Sequence, residues 1–271
     1  MSTFQSRSEL AAVLQAILDA QNEGKWETLE SLVQPILVTD TAPQQRDIFI
    51  ENLRSNPHVS SKLDSCVVDI NAQAIAARVI KTETLSKAER CEYQEIILAW
   101  FIDGRLSTLK TLRDDDSRRA RQTSATATPT SLKKLNSTSL DLGTMYCNYI
   151  KSINDETMET NFESFCKPSV THNTQKKTIA EYISLIQESQ RAIQGLHFDI
   201  QDLIVDKDAG RVAARLEFTG VPVKTWADAE PNGKSVKFHE HVMYWLDEGK
   251  IHWVWSIVDL DTYRKHLLER N

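Results

Sequence analysis

Residues 233–261 read GKSVKFHEHVMYWLDEGKIHWVWSIVDLD. Two runs rich in β-branched and aromatic residues, 236–246 and 251–259, flank Asp247-Glu248-Gly249-Lys250. A short Gly-containing loop between two alternating runs predicts a β-hairpin. Simple alternation then sorts the side chains by face. One face is expected to carry Phe238, Glu240, Val242, Tyr244, Trp253, Trp255, Ile257 and Asp259, and the other Lys237, His239, His241, Met243, Trp245, His252, Val254, Ser256 and Val258. Both faces hold large apolar groups, so both are expected to be covered. Two carboxylates among the aromatics of the first face suggest a pocket wall; a structural ion pair is the plainer alternative.

The segments before the hairpin repeat those of the first half. Helical spacing marks 9–23, 26–33 and 44–55 in the first half and 140–153, 158–166 and 178–193 in the second, with strands at 63–70, 74–85, 91–102 and 105–112 answered by 196–206, 211–219 and the hairpin. Short extended stretches are expected at 36–39 and 170–173, and a closing helix at 261–270. Pro35 answers to Pro168, Ala76-Ala77-Arg78 to Ala213-Ala214-Arg215, Glu95 and Gly104 to Glu240 and Gly249, and Asp114 to Asp259. Matching blocks in the same order, with growth confined to loops, indicate an internal duplication. The expected division is a first domain over 1–114, a flexible linker over 115–139 and a second domain over 140–271. The linker is rich in Ser, Thr and charge and reads as disordered; a flexible chain of that length spans roughly 25–30 Å.

The chain has 271 residues and a net charge of −6, which fits two ordinary domains and argues against a general nucleic-acid binder. No stretch approaches the apolar length of a membrane span, and the first residues show no signal-peptide pattern. Cys66, Cys91, Cys147 and Cys166 have no metal-like spacing and read as reduced thiols, so a cytoplasmic location is expected.

The order G-K-x-V-x-F-x-E-x-x-x-Y, then acidic-G-K-I, then V-W-S-x-x-D, resembles the closing part of the SnoaL-like polyketide cyclase family, notably its fungal branch. The resemblance covers the second half; the first half carries much less of it. It implies an α+β fold of two tandem cone-shaped domains like nuclear transport factor 2, each a curved antiparallel sheet with helices on its concave side. It also implies a cyclase or isomerase of secondary metabolism that works without metal or organic cofactor on a polyketide or meroterpenoid intermediate. A non-catalytic binding or scaffold protein of the same fold is the alternative, as is a hydrolase or dehydratase using the same pocket. Single-domain relatives commonly pair, so the tandem chain is expected to form its own pseudo-dimer through the outer sheet faces. The expected partner is an apolar small molecule, not nucleic acid or membrane.

The family places an acidic general acid/base at the end of the final strand, which makes Asp259 the first catalytic candidate; Asp259 also precedes a helix and could be its N-cap. Glu240 is the second candidate, with a salt bridge to Arg215 as the structural alternative. His172 and Asn173 stand where the family often places a His or Asn at the pocket mouth. A neutral His can exchange a proton near pH 7, which makes His172 the third catalytic candidate, and Asn173 is expected to hold a substrate carbonyl or developing enolate. Tyr182, Phe238, Tyr244, Trp253 and Trp255 are expected to line an apolar cavity, with Trp226 of the long loop 220–234 as a lid. His239-Glu240-His241 invites a metal reading, but alternation sends Glu240 to one face and the histidines to the other. In the first half Thr39, Asp40, Ala99, Thr108 and Lys110 stand where His172, Asn173, Tyr244, Trp253 and Trp255 stand in the second, so the active pocket is expected in the second domain.

Overall fold

The two halves build the same sheet in the same order. In the computed structural model, which describes residues 3–40, 42–86 and 89–268, the chain divides into compact units Met1–Lys133 and Lys134–Asn271. The first unit runs α1 (Arg7–Asn22), α2 (Trp26–Leu32), β1 (Val33–Thr39), β2 (Ala42–Gln45), α3 (Arg46–Arg54), β3 (Val59–Asp69), β4 (Ala74–Thr84), β5 (Arg90–Ile102), β6 (Arg105–Arg113) and α4 (Asp115–Arg119). The second runs α5 (Leu142–Asn154), α6 (Met158–Phe165), β7 (Cys166–His172), β8 (Gln175–Thr178), α7 (Ile179–Ala192), β9 (Ile193–Asp206), β10 (Arg211–Pro222), β11 (Val236–Asp247), β12 (Lys250–Val258) and α8 (Leu260–Leu268). The end of the expected closing helix, residues 269 and 270, lies outside the described residues. Among the described residues no helix is long and apolar enough to cross a membrane.

The strand order is β2-β1-β6-β5-β4-β3 in one curved sheet and β8-β7-β12-β11-β10-β9 in the other. Each sheet is mixed, which corrects the expectation of an antiparallel one: β1 runs parallel to β6, and β7 to β12. The reason is connectivity. The short strand after the second helix returns to the sheet beside the last strand rather than beside a hairpin partner. Edge strands β2 and β8 have the sequences APQQ and QKKT, with no apolar alternation to announce them.

In the second unit one sheet face packs under α5, α6, α7 and α8. Leu142, Tyr146 and Tyr149 of α5, Phe162 of α6, Tyr182 of α7 and Tyr263 of α8 join Val212, Leu216, Phe238 and Tyr244 in one buried cluster. The helix α7 starts on a capping box, with Thr178 and Glu181 satisfying each other's backbone N–H groups.

The expected flexible linker is corrected. Residues 115–133 form α4, a strap and a short 3₁₀ turn over 130–133 on the first unit. Arg118 forks onto Glu83 at 2.6 and 2.9 Å, Glu92 N–H donates to Gln122 O at 2.7 Å, and Thr128, 3% exposed, donates its N–H to Asp64 Oδ1 at 2.9 Å. Arg78, itself buried, holds Asp64 at 2.7 Å, Gln94 Oε1 at 2.7 Å and Thr126 O at 2.9 Å. Beyond the strap, Asn136 donates to Leu246 O at 3.3 Å and Thr138 N–H to Lys207 O at 3.1 Å in the second unit. Low apolar content reads as disorder, but here the anchors are ionic and backbone groups that composition does not count. Arg78→Ala is expected to leave Asp64 as an uncompensated buried charge. A loss of about 3–5 kcal/mol, read by urea denaturation of the full chain, is the expected result.

The hairpin contains a feature that decides the site. Trp245 pairs with Trp253 but Leu246 pairs with Ile251, so His252 is the extra residue of a β-bulge. The first unit has the same bulge: Trp100 pairs with Thr108, Phe101 with Leu106, and Ser107, left over, donates its hydroxyl to Trp100 O at 3.0 Å. A shift of one residue moves every later side chain to the opposite face. Val254, Ser256 and Val258 therefore share the helix-side face with Glu240, Val242 and Tyr244. Trp253, Trp255 and Ile257 join His241, Met243 and Trp245 on the other face.

Candidate functional site

A cavity of about 170 Å³ lies between the helix-side sheet face of the second unit and its helices. Its floor is Leu216 and Phe218 of β10, Glu240 and Tyr244 of β11, and Val254, Ser256 and Val258 of β12. Its walls are Tyr149 of α5, His172 of β7, Tyr182, Leu185 and Ile186 of α7, and Trp226 of the long loop. Neither Lys nor Arg appears among the lining residues.

Glu240 is the carboxylate of the floor. Its side chain is partly buried and lines the cavity. Burial raises it to about 7, and the hydrogen bond donated by the Ser256 hydroxyl offsets only part of that rise. The expected ion pair with Arg215 does not form at this carboxylate. Arg215 Nη1 instead meets His241 Nε2 at 2.7 Å, and the two are direct cross-strand partners on the opposite face.

His172 lines the same cavity, with its ring centroid 5.9 Å from that of Tyr182. Burial, with a smaller contribution from the Lys177 charge, lowers it to about 4, so it is a neutral imidazole at neutral pH. Tyr149 and Tyr182 share a hydrogen bond between their hydroxyls at 3.0 Å, and the rings of Tyr146 and Tyr149 lie 5.2 and 5.9 Å from that of Tyr244. Burial pushes all four phenols upward, well clear of neutrality. They are therefore lasting O–H groups around a carboxyl that can either hold or release its proton. Chemically the cavity offers proton transfer in an apolar setting with hydrogen-bond donors beside it.

The expected site residues divide. Glu240, His172, Tyr182, Tyr244 and Trp226 meet at the cavity. Trp226, placed as a lid, packs its ring 5.0 Å from Tyr263 and 6.1 Å from Phe238, and its loop is held to α8 by Arg264 Nε donating to Ala227 O at 2.9 Å. Phe238 sits one layer behind, against Phe218, Trp226 and Tyr263.

Trp253 and Trp255 are corrected: the bulge puts them on the far face, where they contact each other edge-on at 5.7 Å. Asn173 is corrected as a direct substrate contact, because both ends of its amide are spent on the backbone of Ser256. Asp259 is corrected too. It does not line the cavity; its Oδ1 accepts from Thr262 N–H at 2.9 Å and caps α8. Its counterpart Asp114 caps α4 in the same way, accepting from Ser117 N–H at 2.9 Å. Asp259→Asn, which keeps the cap, is expected to leave stability and turnover near those of the parent. Asp259→Ala is expected to lose about 1 kcal/mol. Thermal melts with rate measurements on both variants check this.

Of the metal reading, Glu240 faces the cavity while His241 faces Arg215, and His239 lies 3.5 Å from Glu217. Among the described residues no group of three His, Cys, Asp or Glu side chains converges.

Sequence reasoning missed Tyr149, Ser256 and Phe218. Tyr149 lies on the apolar stripe of α5, where it reads as core. Ser256 was hidden by the bulge. Phe218 has a signal in the repeat, because its counterpart is Lys81: Lys81 pairs with Tyr93 as Phe218 pairs with Phe238. Lys81 forms a 2.9 Å ion pair with Glu95, the counterpart of Glu240. The first unit thus neutralises the carboxylate that the second leaves without a cation.

Comparison with known proteins fits this geometry. Residues 144–267, which hold every lining residue, match the SnoaL-like polyketide cyclase family. A SnoaL-like polyketide cyclase from Agrobacterium tumefaciens is 30% identical, over 47% of this chain and 98% of that one, with a TM-score of 0.44. A polyketide cyclase-like protein from Acidithiobacillus ferrooxidans is 18% identical over 49% of this chain and 97% of its own, with a TM-score of 0.42. IdmH from Streptomyces antibioticus is 16% identical over 48% and 99%, with a TM-score of 0.41. Among curated proteins none matches. With its second unit matched from α5 to α8, this chain belongs to the SnoaL-like polyketide cyclase family.

Proposed function

We infer that the second unit is a cofactor-independent cyclase or isomerase that moves protons on an enolisable carbonyl compound of the polyketide or meroterpenoid kind, with Glu240 as the acid/base. The observation that supports this most is the Glu240 carboxyl on the floor of a cavity with no Lys or Arg in its lining, raised by burial to about 7; the other lining carboxylate, Glu188 of α7, is solvent-exposed. A carboxyl at that value exists in both protonation states at neutral pH, which is what an acid/base serving both directions needs. As carboxylate, Glu240 takes a proton from carbon beside a carbonyl. The enolate oxygen accepts one hydrogen bond from the phenol pair of Tyr149 and Tyr182, whose other O–H donates within the pair. The enolate carbon then closes the ring on a second carbonyl, and the proton held by Glu240 passes to the alkoxide formed, so no net proton is gained or lost. Neutral His172 stands ready as a further hydrogen-bonding group. An apolar substrate suits the walls of Leu185, Ile186, Val254 and Val258.

The test is hydrogen exchange on 2-tetralone, an apolar enolisable ketone, in deuterated water. The full chain is expected to speed deuterium wash-in beside the carbonyl, and Glu240→Gln to abolish that acceleration. Exchange no faster than in buffer, with the ketone shown to bind, would assign the pocket to binding alone.

A further inference from the structure

Strand β7 stops at His172, whose partner on β12 is Val254. The pairing nevertheless continues by one more step. Asn173 N–H donates to Val254 O at 3.0 Å. Its side-chain Oδ1 accepts from Ser256 N–H at 2.9 Å, and its Nδ2 donates to Ser256 O at 2.8 Å. The amide side chain thus takes the place of a peptide group and saturates both backbone groups of Ser256. Asn173 has φ of 44°, left-handed backbone that Asn tolerates better than most residues. That turn directs the side chain back along the strand it would otherwise leave. Ser256 lies diagonally across from Glu240 on the cavity face, and its hydroxyl donates to Glu240 Oε1.

The first unit keeps half of this device. Asp40, the counterpart of Asn173, also has φ of 44°; its N–H donates to Leu109 O at 3.2 Å, and its Oδ1 accepts from Thr111 N–H at 3.4 Å. An ionised carboxylate has no donor for the Thr111 carbonyl. The complete clamp therefore occurs in the unit whose carboxyl has no lysine beside it.

We propose that Asn173 is a positioning residue: it holds Ser256 so that the Ser256 hydroxyl stays on Glu240, and through that contact it sets the pH at which Glu240 changes protonation state. This rests on Glu240 being the working acid/base. The titratable and polar groups around Glu240 and its cavity are Tyr146 and Tyr149 on α5, Tyr182 and the solvent-exposed Glu188 on α7, His172 on β7, Tyr244 on β11 and the Ser256 hydroxyl on β12. The tyrosines keep their protons and His172 stays neutral across the relevant range. Ser256 is thus the hydrogen-bond donor to Glu240 that the clamp on β7 controls directly.

The experiment follows the Glu240 carboxyl by carbon NMR in the full chain, with the resonance assigned by its loss in Glu240→Gln. Ser256→Ala is expected to move its midpoint up by roughly one pH unit, since the lost hydrogen bond favours the ionised form; Ser256→Thr, which restores a hydroxyl, brings it back. Asn173→Ala is expected to move the midpoint the same way, and the double variant no further than Ser256→Ala alone, because both changes remove one contact. Asn173→Asp, tolerated by the first unit at Asp40, covers the case where the alanine variant fails to fold, and is expected to give a smaller upward shift. A midpoint unmoved by the Asn173 variants, or shifts that add in full, overturns the proposal. If the midpoints move as expected while exchange on 2-tetralone ignores them, the clamp stands and the role of Glu240 in catalysis falls.

Discussion

Glu240→Gln is expected to reduce turnover by about a hundred- to ten-thousand-fold while making the protein more stable. The amide fills the space of the carboxyl and still accepts from Ser256, but it cannot exchange a proton. The stability change follows from linkage. Burial raises the folded carboxyl to about 7, above its value in the unfolded chain. Between those two values the folded state holds a proton that the unfolded state has released, so this group makes stability fall as pH rises through the window. The loss is complete above about 7 and amounts to about 3 kcal/mol as an order of magnitude. Glutamine carries no charge to desolvate and escapes it. Thermal melts at acidic and mildly alkaline pH, beside rate measurements, check both halves. The variant is expected to melt several degrees higher than the parent at alkaline pH and close to it in acid. An equally active variant, or one destabilised at alkaline pH, would remove Glu240 from the role assigned to it.

Phe218→Lys carries the second large effect. It transplants into the second unit the residue that the first unit holds at Lys81, where the ammonium meets Glu95 at 2.9 Å. Phe218 and Glu240 both line the cavity floor, and their counterparts show that a lysine at this position can reach the carboxylate. A cation at that distance lowers a carboxyl by roughly one to three pH units. Glu240 would then stay ionised, paired and poor as a base. Turnover is expected to fall by about a hundred-fold, and the limb of the pH–rate profile belonging to Glu240 is expected to move to lower pH. Phe218→Leu is the control: it keeps the apolar floor and is expected to retain most of the activity. A lysine variant that turns over like the parent would show that the missing cation is irrelevant. The reverse change, Lys81→Phe, is not expected to awaken the first unit, because Ala99 and Thr39 stand where Tyr244 and His172 complete the second cavity.

The same pair of positions shows how much was legible in the sequence. The duplication, the order of helices and strands, and the place of the hairpin follow from local patterns: apolar spacing, proline and glycine punctuation, and matched blocks such as Ala76-Ala77-Arg78 and Ala213-Ala214-Arg215. Glu240 and Tyr244 come to one face because alternation within a single strand is a local property. That part of the site, with Trp226 and Tyr182, was readable.

What the second strand of the hairpin presents was not. The face of Ser256, Trp255 and Trp253 depends on whether His252 is paired or bulged, and no local preference states which. The bulge is settled by pairing across the sheet, to β11 on one side and β7 on the other. One unpaired residue exchanged a tryptophan wall for Val254, Ser256 and Val258. Asp259 looked catalytic by its place in a strand, but the helix that begins after it offers an unsatisfied N–H, and a short carboxylate there caps it. Asn173 lies far from Ser256 in sequence, and only the parallel pairing of β7 with β12 brings its amide to that backbone. The strap over 115–133 is ordered by charged and backbone partners on three strands, which composition cannot see. Local chemistry determined the elements and half of one sheet face; register and long-range polar pairing, which depend on the partner strand, decided which side chains enclose Glu240.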